Sequence, residues 1–524
     1  MPLSRSRSRA LLAVPLCAAL AACGGGTLSA TYPDPADSPG EASALPIPAG
    51  QIERAIGQLD GLANSLMASS GIPGMAVAVV QGGRTVYAKG FGVRAVGSPQ
   101  KVDADTVFQL ASLSKPVGAT VVARQVGAGR VQWNTPVQRW LPEFELSDPY
   151  VSQQLTIGDL YAHRSGLPDH AGDLLEDMGY DRAQVLERLR YLPLQPFRIT
   201  YKYTNFGLTA AAQAVAAAAG TDWETLSEQT LYRPLGMNAT SSRFADFQAR
   251  PNRAVGHIRQ GGDFVVGRPR QPDAQSPAGG VSSSVNDMAK WMAFVLANGV
   301  VGGQPLVPAA ALLPALSPQI VSSPAGGSGS RAGFYGYGFN VGTSAAGRVT
   351  LGHSGAFLMG AATAFSLIPS ADVGIVVLTN AWPIGVPETL VAQFNDLVQF
   401  GSIQRDWGAL AAQSFAPFHV PSGSLVGVPR PTQPAPSAPL ASYAGTYQNP
   451  YYGPLQVVEN GGALELRLGP APLVLPLTHW DGDVFTFTLD AENAAAGTIS
   501  KASFAGDRVV LEYYDGDGLG TFRR

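Results

Sequence analysis

Apolar residues recur at helical spacing from Gln51 to about Ser70, at Ile52, Ile56, Leu59, Leu62 and Leu66, which predicts a helix there. Met75–Val80 and Thr85–Phe91 then read as strands joined by Gly82-Gly83, a pair suited to a tight hairpin. A second group of strands comes late, at Val349–Gly352, Ala361–Leu367 and Val373–Leu378, followed by a helix over about Glu388–Phe400. Alanine-rich helical stretches, Leu208–Ala219 and Val285–Ala297, fill the middle. Strands at both ends with helices between predict an α/β (α+β) fold. In it one antiparallel sheet is closed by the two ends of the domain and flanked by helices, with a helical subdomain inserted.

From Phe415 to Pro439 the chain is proline-rich and reads as a linker. Beyond it, Leu464-Leu466-Leu468, Val484 to Leu489 and Val509-Leu511-Tyr513 alternate with polar residues between turns at Gly461-Gly462, Asp481-Gly482 and Gly506-Asp507. That pattern predicts a small all-β barrel over 440–524 without a catalytic set of its own. The expected order is a leader over 1–23, a Gly/Pro/Ala/Ser tether over 24–50, a main domain over 51–414, a linker over 415–439 and the β unit.

The chain has 524 residues, 45% hydrophobic and 14% charged, with a net charge of −3. Such a composition describes globular domains, and no run of lysine or arginine suggests a nucleic-acid surface. Arg5, Arg7 and Arg9 precede an apolar run, Ala10 to Ala19, too short for a permanent membrane helix. Leu20-Ala21-Ala22-Cys23 resembles a bacterial lipobox, which implies cleavage, lipidation of Cys23 and a membrane anchor; an ordinary secretory signal is the alternative, and both export the protein. Cys17 and Cys23 both lie in the leader, so the mature body has no thiol for a disulfide, a metal site or nucleophilic catalysis. Six scattered histidines without a close pair argue against a zinc site, and no cofactor motif is present.

Three short patterns then follow in order: Ser112-Leu-Ser-Lys115, Tyr203-Thr-Asn205 and His353-Ser354-Gly355. Pro116 fits only a first helical turn, so a helix begins near Ser112, and Lys115 lies one turn on along the same face. A lysine desolvated there loses proton affinity and can accept the serine proton. Tyr203 and Asn205, two apart in an extended loop, would point the same way, the phenol to shuttle a proton and the amide to bind a substrate carbonyl or the lysine. His353 and Gly355 are expected at a strand end, with His353 positioning or polarising substrate and Gly355 letting substrate backbone approach. The N–H groups of Ser112 and Ala356 would form an oxyanion hole. Ser98/Lys101, Tyr447/Asn449 and His170/Gly172 repeat the patterns singly. His170 precedes Tyr203 and Tyr447 lies in the β unit, so these break the order, while Ser98/Lys101 reads as a turn. Taken alone, each pattern has a plain structural reading: an N-cap serine with a surface lysine, loop residues, or a hydrogen-bonding histidine.

The ordered set resembles the serine β-lactamase/penicillin-recognising superfamily, in particular class C β-lactamases, serine D,D-peptidases and related esterases. Leu155–Pro168, Pro277–Val281 with Asp287, and Tyr335–Phe339 are similar to the same family, and the resemblance covers about 52–400. The β unit is similar to lipocalin-like barrels appended to some members, which leaves room for homo-oligomers. The resemblance implies a serine hydrolase with Ser112, Lys115 and Tyr203 as catalytic residues and Asn205, His353, Ser354 and Gly355 as substrate contacts. A small peptide, ester or β-lactam would be the substrate. Class C β-lactamases carry Lys-Thr-Gly where His353-Ser354-Gly355 stands, so a D,D-carboxypeptidase, D-aminopeptidase-like or esterase activity is expected over β-lactam hydrolysis. Two other readings compete: an α/β-hydrolase with Ser354 in a near-GxSxG elbow, and a non-catalytic binding or scaffolding lipoprotein.

Overall fold

A computed structural model describes residue 43 and residues 45–524. Cys23, the leader and most of the expected tether lie outside the described residues.

The main sheet has eight antiparallel strands: β1 (Gly74–Gln81), β2 (Arg84–Gly92), β3 (Ile320–Ser323), β4 (Gly333–Tyr335), β5 (Asn340–Thr343), β6 (Val349–Phe357), β7 (Ala361–Ile368) and β8 (Val373–Thr379), in the order β2-β1-β8-β7-β6-β5-β4-β3. The two ends of the domain close it, since Met75 pairs with Thr379 and Gln81 with Val373. Gly82 and Gly83 turn the β1–β2 hairpin at φ 60° and 69°, the left-handed values a two-residue turn needs. Side chains of β1 alternate between two cores. Met75, Val77 and Val79 pack against α1 (Gln51–Gly57), α2 (Leu59–Ser70) and a C-terminal helix, Val386–Phe400. Ala76, Ala78 and Val80 join the larger core with the helical subdomain.

Three helices place the candidate chemistry. α3 (Ser114–Gly127) follows a short 3-10 turn at Ala111–Leu113; α4 (Asp173–Asp177) and α5 (Asn205–Ala219) lie in the helical subdomain. Pro116 is in the first turn of α3, where its missing N–H costs nothing. α5 starts at Asn205, earlier than the apolar spacing suggested. β6 likewise runs on through His353 to Phe357, so the His353 segment is mid-strand and not at a strand end.

The C-terminal unit is all β but not a closed barrel. β9 (Gly445–Tyr447), β10 (Leu455–Asn460), β11 (Ala463–Leu468) and β12 (Leu473–Pro476) form one antiparallel sheet. β13 (Thr478–Asp481), β14 (Val484–Ala491), β15 (Ala494–Ala505), β16 (Arg508–Leu511) and β17 (Thr521–Arg523) form a second. A single bridge, Gln448 to Arg523, links them on one side. On the other, Pro476 ends β12 and Leu477 donates back to the Leu464 carbonyl, so the β12–β13 ladder never forms. The stretch read as a linker begins at the last residue of a helix, Trp407–Phe415, and opens with a 3-10 turn, Ala416–His419. Among the described residues no helix is long and apolar enough to cross a membrane.

This unit packs directly on α4. The Tyr451 hydroxyl accepts from Gly172 N–H at 3.1 Å, and the Tyr180 hydroxyl donates to the Tyr452 carbonyl at 2.9 Å. Gly469, at φ 78°, lies so close to the Met178 carbonyl that a Cβ would approach it to 2.1 Å. Gly469→Val is therefore expected to loosen the docked unit, since left-handed backbone alone costs about 1–2 kcal/mol for a residue with a Cβ. Limited proteolysis should cut within 416–439 faster than in the wild type; an unchanged cleavage rate would show that Gly469 does not hold this contact.

Candidate active site

The three ordered patterns meet at one cleft. Ser112 follows Ala111, which is held in the left-handed region at φ 47°. Strain of this kind persists only where the surroundings over-determine it, and here four hydrogen bonds do so. Leu110 N–H donates to the Val281 carbonyl at 2.8 Å, and Thr363 Oγ1 to the Leu110 carbonyl at 2.7 Å. The Ser114 hydroxyl donates to the Ala111 carbonyl at 2.7 Å and accepts from Val281 N–H at 2.9 Å. Ser114 is thus buried and fully used in the turn, while Ser112 is half-buried and lines the cavity.

Lys115 is fully buried. Its Nζ lies 3.0 Å from Ser112 Oγ, 2.7 Å from Asn205 Oδ1 and 3.0 Å from the Ala278 carbonyl, and 4.5 Å from the centre of the Tyr203 ring. Burial pushes its pKa down to about 7, against the pull of the Asp173 charge. A neutral amine has two N–H groups and one lone pair. The two carbonyl oxygens take the N–H groups, which leaves the lone pair for the Ser112 proton. The Tyr203 hydroxyl donates to Ser112 Oγ at 2.7 Å, and burial raises its pKa far above the phenol range, so it stays protonated.

Asn205 is the first residue of α5, with Tyr203 in the extended segment before it, so a helix start and not a common loop aims the pair. Both ends of the Asn205 amide are occupied: Oδ1 by Lys115 and Nδ2 by Asp173 Oδ2 at 2.9 Å. Of the two partners expected for it, lysine and substrate carbonyl, the structure shows the lysine. Asp173 Oδ2 also pairs with His170 Nδ1 at 2.9 Å, and His170 lines the cavity mouth. The sequence reading missed Asp173 altogether and set His170 aside as a chance repeat.

The His353 segment lies differently from expectation. His353 Nε2 meets the Tyr335 hydroxyl at 2.8 Å, and Nδ1 the Ser354 carbonyl at 2.6 Å. The carbonyl can only accept, so Nδ1 carries the proton and Nε2 takes the tyrosine's. Burial and the nearby Lys115 push the His353 pKa down to about 3, so the ring is neutral and has no nitrogen free for substrate. Ser354 lines the cavity, but its hydroxyl donates to the carboxyl of Glu388, a buried acid raised to about 7. Ser354 sits in an extended strand without a histidine base, which rules out the nucleophile-elbow reading. Gly355 serves packing: a Cβ there would come within 2.5 Å of both the Leu110 carbonyl and Thr363 Oγ1, and 2.9 Å of Ser112 N. Ala356 follows on β6 and lines the cavity with Ser112.

The cavity, about 700 Å³, is walled by three separate parts of the chain. The main domain supplies Ser112, Tyr203 and Ala356; the former linker supplies Phe418 and Val420; the C-terminal unit supplies Tyr451 and Glu492. Nothing in the alternating pattern of the β unit signalled that it would face the serine.

Residues 59–399 match the family described as Beta-lactamase. The chain belongs to that family. Residues 429–509 match a domain of unknown function, DUF3471. Among relatives of this β-lactamase-family chain, the unguisins hydrolase ungD of Aspergillus violaceofuscus is 27% identical over 485 residues, 83% of this chain and 82% of the relative. The D-alanyl-D-alanine-carboxypeptidase/endopeptidase AmpH of Escherichia coli K12 is 26% identical over 249 residues, 46% of this chain and 62% of the relative. The octameric penicillin-binding protein homologue from Pyrococcus abyssi has a similar fold, with TM-score 0.58 and 21% identity, covering 87% of this chain and 98% of that one. Family relatives thus carry hydrolase names, which supports an enzyme.

Gly355→Ala tests how tightly β6 holds the Ser112 turn. The added methyl must displace Leu110 or Ser112 backbone, so we expect a folded protein by circular dichroism with hydrolytic turnover reduced at least about 100-fold, as a misplacement near 1 Å can do. Full activity in this variant would remove Gly355 from the account.

Proposed function

We propose that this chain is an exported serine hydrolase that cleaves an amide or ester through an acyl-enzyme on Ser112. The observation that carries the reading is the Lys115 amine, buried, 3.0 Å from Ser112 Oγ and with its pKa lowered to about 7. In this reading Ser112 Oγ attacks the substrate carbonyl carbon as its proton passes to Lys115 Nζ. The oxyanion is held by the N–H groups of Ser112 and Ala356. On collapse, the proton moves from Lys115 by way of Tyr203 to the departing amine or alcohol. Water then attacks the acyl ester, gives its proton to Lys115, and Ser112 leaves with a proton to regenerate the site.

The substrate class we infer is a small peptide or ester, cleaved by a D,D-carboxypeptidase-like, D-aminopeptidase-like or esterase activity. A neutral His353 weighs against β-lactamase activity of the class C type and, within the inferred class, favours the D-aminopeptidase-like and esterase activities over the D,D-carboxypeptidase-like one, because the position offers no cation to a substrate carboxylate. Arg270, the guanidinium lining the cavity, is already paired with Glu176 at 2.5 Å. Asp169 and Asp173 add carboxylates to the lining, which further favours uncharged or cationic substrates. Export and anchoring through a lipid on Cys23 belong to the same proposal and rest on the leader sequence alone.

A fluorophosphonate probe should label the wild type and leave Ser112→Ala unlabelled; equal labelling would overturn Ser112 as nucleophile. Only neutral Lys115 accepts a proton, so kcat/KM on a p-nitrophenyl ester should rise with pH through a limb centred near 7. His353, already neutral above about 3, cannot supply that limb. Lys115→Met should lose at least about 100-fold in turnover, the lower end of the range for general-base removal. A wild-type profile flat between pH 5 and 9 would refute the lysine as base.

A further inference from the structure

The tip of the β14–β15 hairpin, Glu492-Asn493, belongs to the C-terminal unit yet lines the cavity that holds Ser112. Glu492 is nine-tenths buried. Its Oε1 accepts from Leu358 N–H at 2.7 Å and its Oε2 from Met359 N–H at 3.2 Å. Those two N–H groups begin the turn between β6 and β7, directly after Ala356 and Phe357. The Glu492 carboxyl group therefore caps the strand that carries the Ala356 N–H. Burial raises its pKa to about 8, against the pull of the two backbone donors and of Arg270, whose Nε lies 3.9 Å from Oε2 and whose guanidinium sits 5.1 Å above the Phe357 ring.

Asn493 grips the opposite wall. Its backbone N–H and its Nδ2 donate to Asp177 Oδ2 at 3.2 and 3.0 Å, and Nδ2 also reaches the Asp173 carbonyl at 3.4 Å. Asp173 and Asp177 are the two ends of α4, and Asp173 holds the Asn205 amide that contacts Lys115. The hairpin is itself secured, by the Tyr513 hydroxyl donating to the Asn493 carbonyl at 2.5 Å and by Arg268 donating to the Asp490 carbonyl at 2.6 Å. Two adjacent residues thus tie both walls of the cleft together from outside the main domain.

We propose that Glu492 and Asn493 are positioning residues for acylation: Glu492 sets the β6–β7 turn and through it the Ala356 N–H, and Asn493 sets α4 and through it the Asp173–Asn205–Lys115 chain. The DUF3471 unit then completes the active site of the main domain. This rests on the serine-hydrolase reading above. A contact that merely glued two domains would lower stability and leave the reacting geometry alone; a positioning contact acts on the transition state.

The test uses the full-length chain with a p-nitrophenyl ester and phenylboronic acid, which forms a tetrahedral adduct on a serine and places an oxygen where the oxyanion would sit. Gln at 492 keeps the size but turns one acceptor into a donor facing a backbone N–H. For Glu492→Gln we expect kcat to fall about 10- to 100-fold, less than deletion of an oxyanion donor. KM should stay within about twofold and boronate affinity should weaken in parallel with kcat, as loss of a transition-state interaction requires. Asn493→Ala should show the same split. Unchanged kcat and boronate affinity in a folded Glu492→Gln protein would overturn the proposal, as would a rise in KM alone. Should Glu492→Gln not fold, Glu492→Asp, one methylene too short to reach both donors, carries the same measurement: no fall in kcat overturns the proposal. Failure of the wild type to react with fluorophosphonate would instead overturn the serine-hydrolase reading itself.

Discussion

A lysine amine shut away from water is the constraint on which the rest depends. In solution an amine of ordinary pKa is neutral in roughly one molecule in several thousand at pH 7; brought to about 7, half is neutral. The protein obtains this by burying Lys115 out of reach of water while keeping the Asp173 carboxylate behind the Asn205 amide. Direct contact with Asp173 would raise the pKa again and abolish the base. The length of one asparagine side chain therefore separates a lysine that accepts protons from one that is merely paired, and α5 begins at that asparagine.

Much of this was legible in the chain. The β1–β2 hairpin, the late strands and the SxxK helix start are local patterns, and period and turn chemistry report such features well. The ordered triplet of motifs was legible for the same reason, since each motif is a short piece held by one element. What the sequence did not reveal comes from long-range packing. Asp173, Glu388 and Tyr335 touch motif residues only after α4, the C-terminal helix and β4 have docked. His353 looked like a polarising group because its identity was visible and its two hydrogen-bond partners were not. His170 was dismissed by its place in the order, although folding sets it at the cavity mouth. The β unit read as a barrel because alternation predicts strands but not whether the last ladder forms, and Pro476 with Leu477 interrupts it.

The cleft is a composite. Each wall has its own covalent origin, and beside the apolar contacts that join them run polar ones: Tyr451 to Gly172, Tyr180 to Tyr452, Asn493 to Asp177, Glu492 to the β6–β7 turn. Buried polar contacts of this type specify one docking arrangement more sharply than an apolar face, because any other arrangement leaves donors and acceptors unpaired. The former linker, with Phe418 and Val420 on the cavity, acts as a wall and not only as a tie between units.

The pairing of β1 with β8 bears on how the chain matures. The first strand pairs early with β2 but must wait for its other neighbour until Thr379 has left the ribosome, and contacts so distant along the chain form slowly. The Ser112 turn leans on Thr363 of β7 and on Gly355 of β6, so it cannot take its strained shape before those strands arrive. Until β6, β7 and β8 have emerged, the serine is an ordinary hydroxyl on an open chain, chemically quiet while the polypeptide is still being handled by the cell.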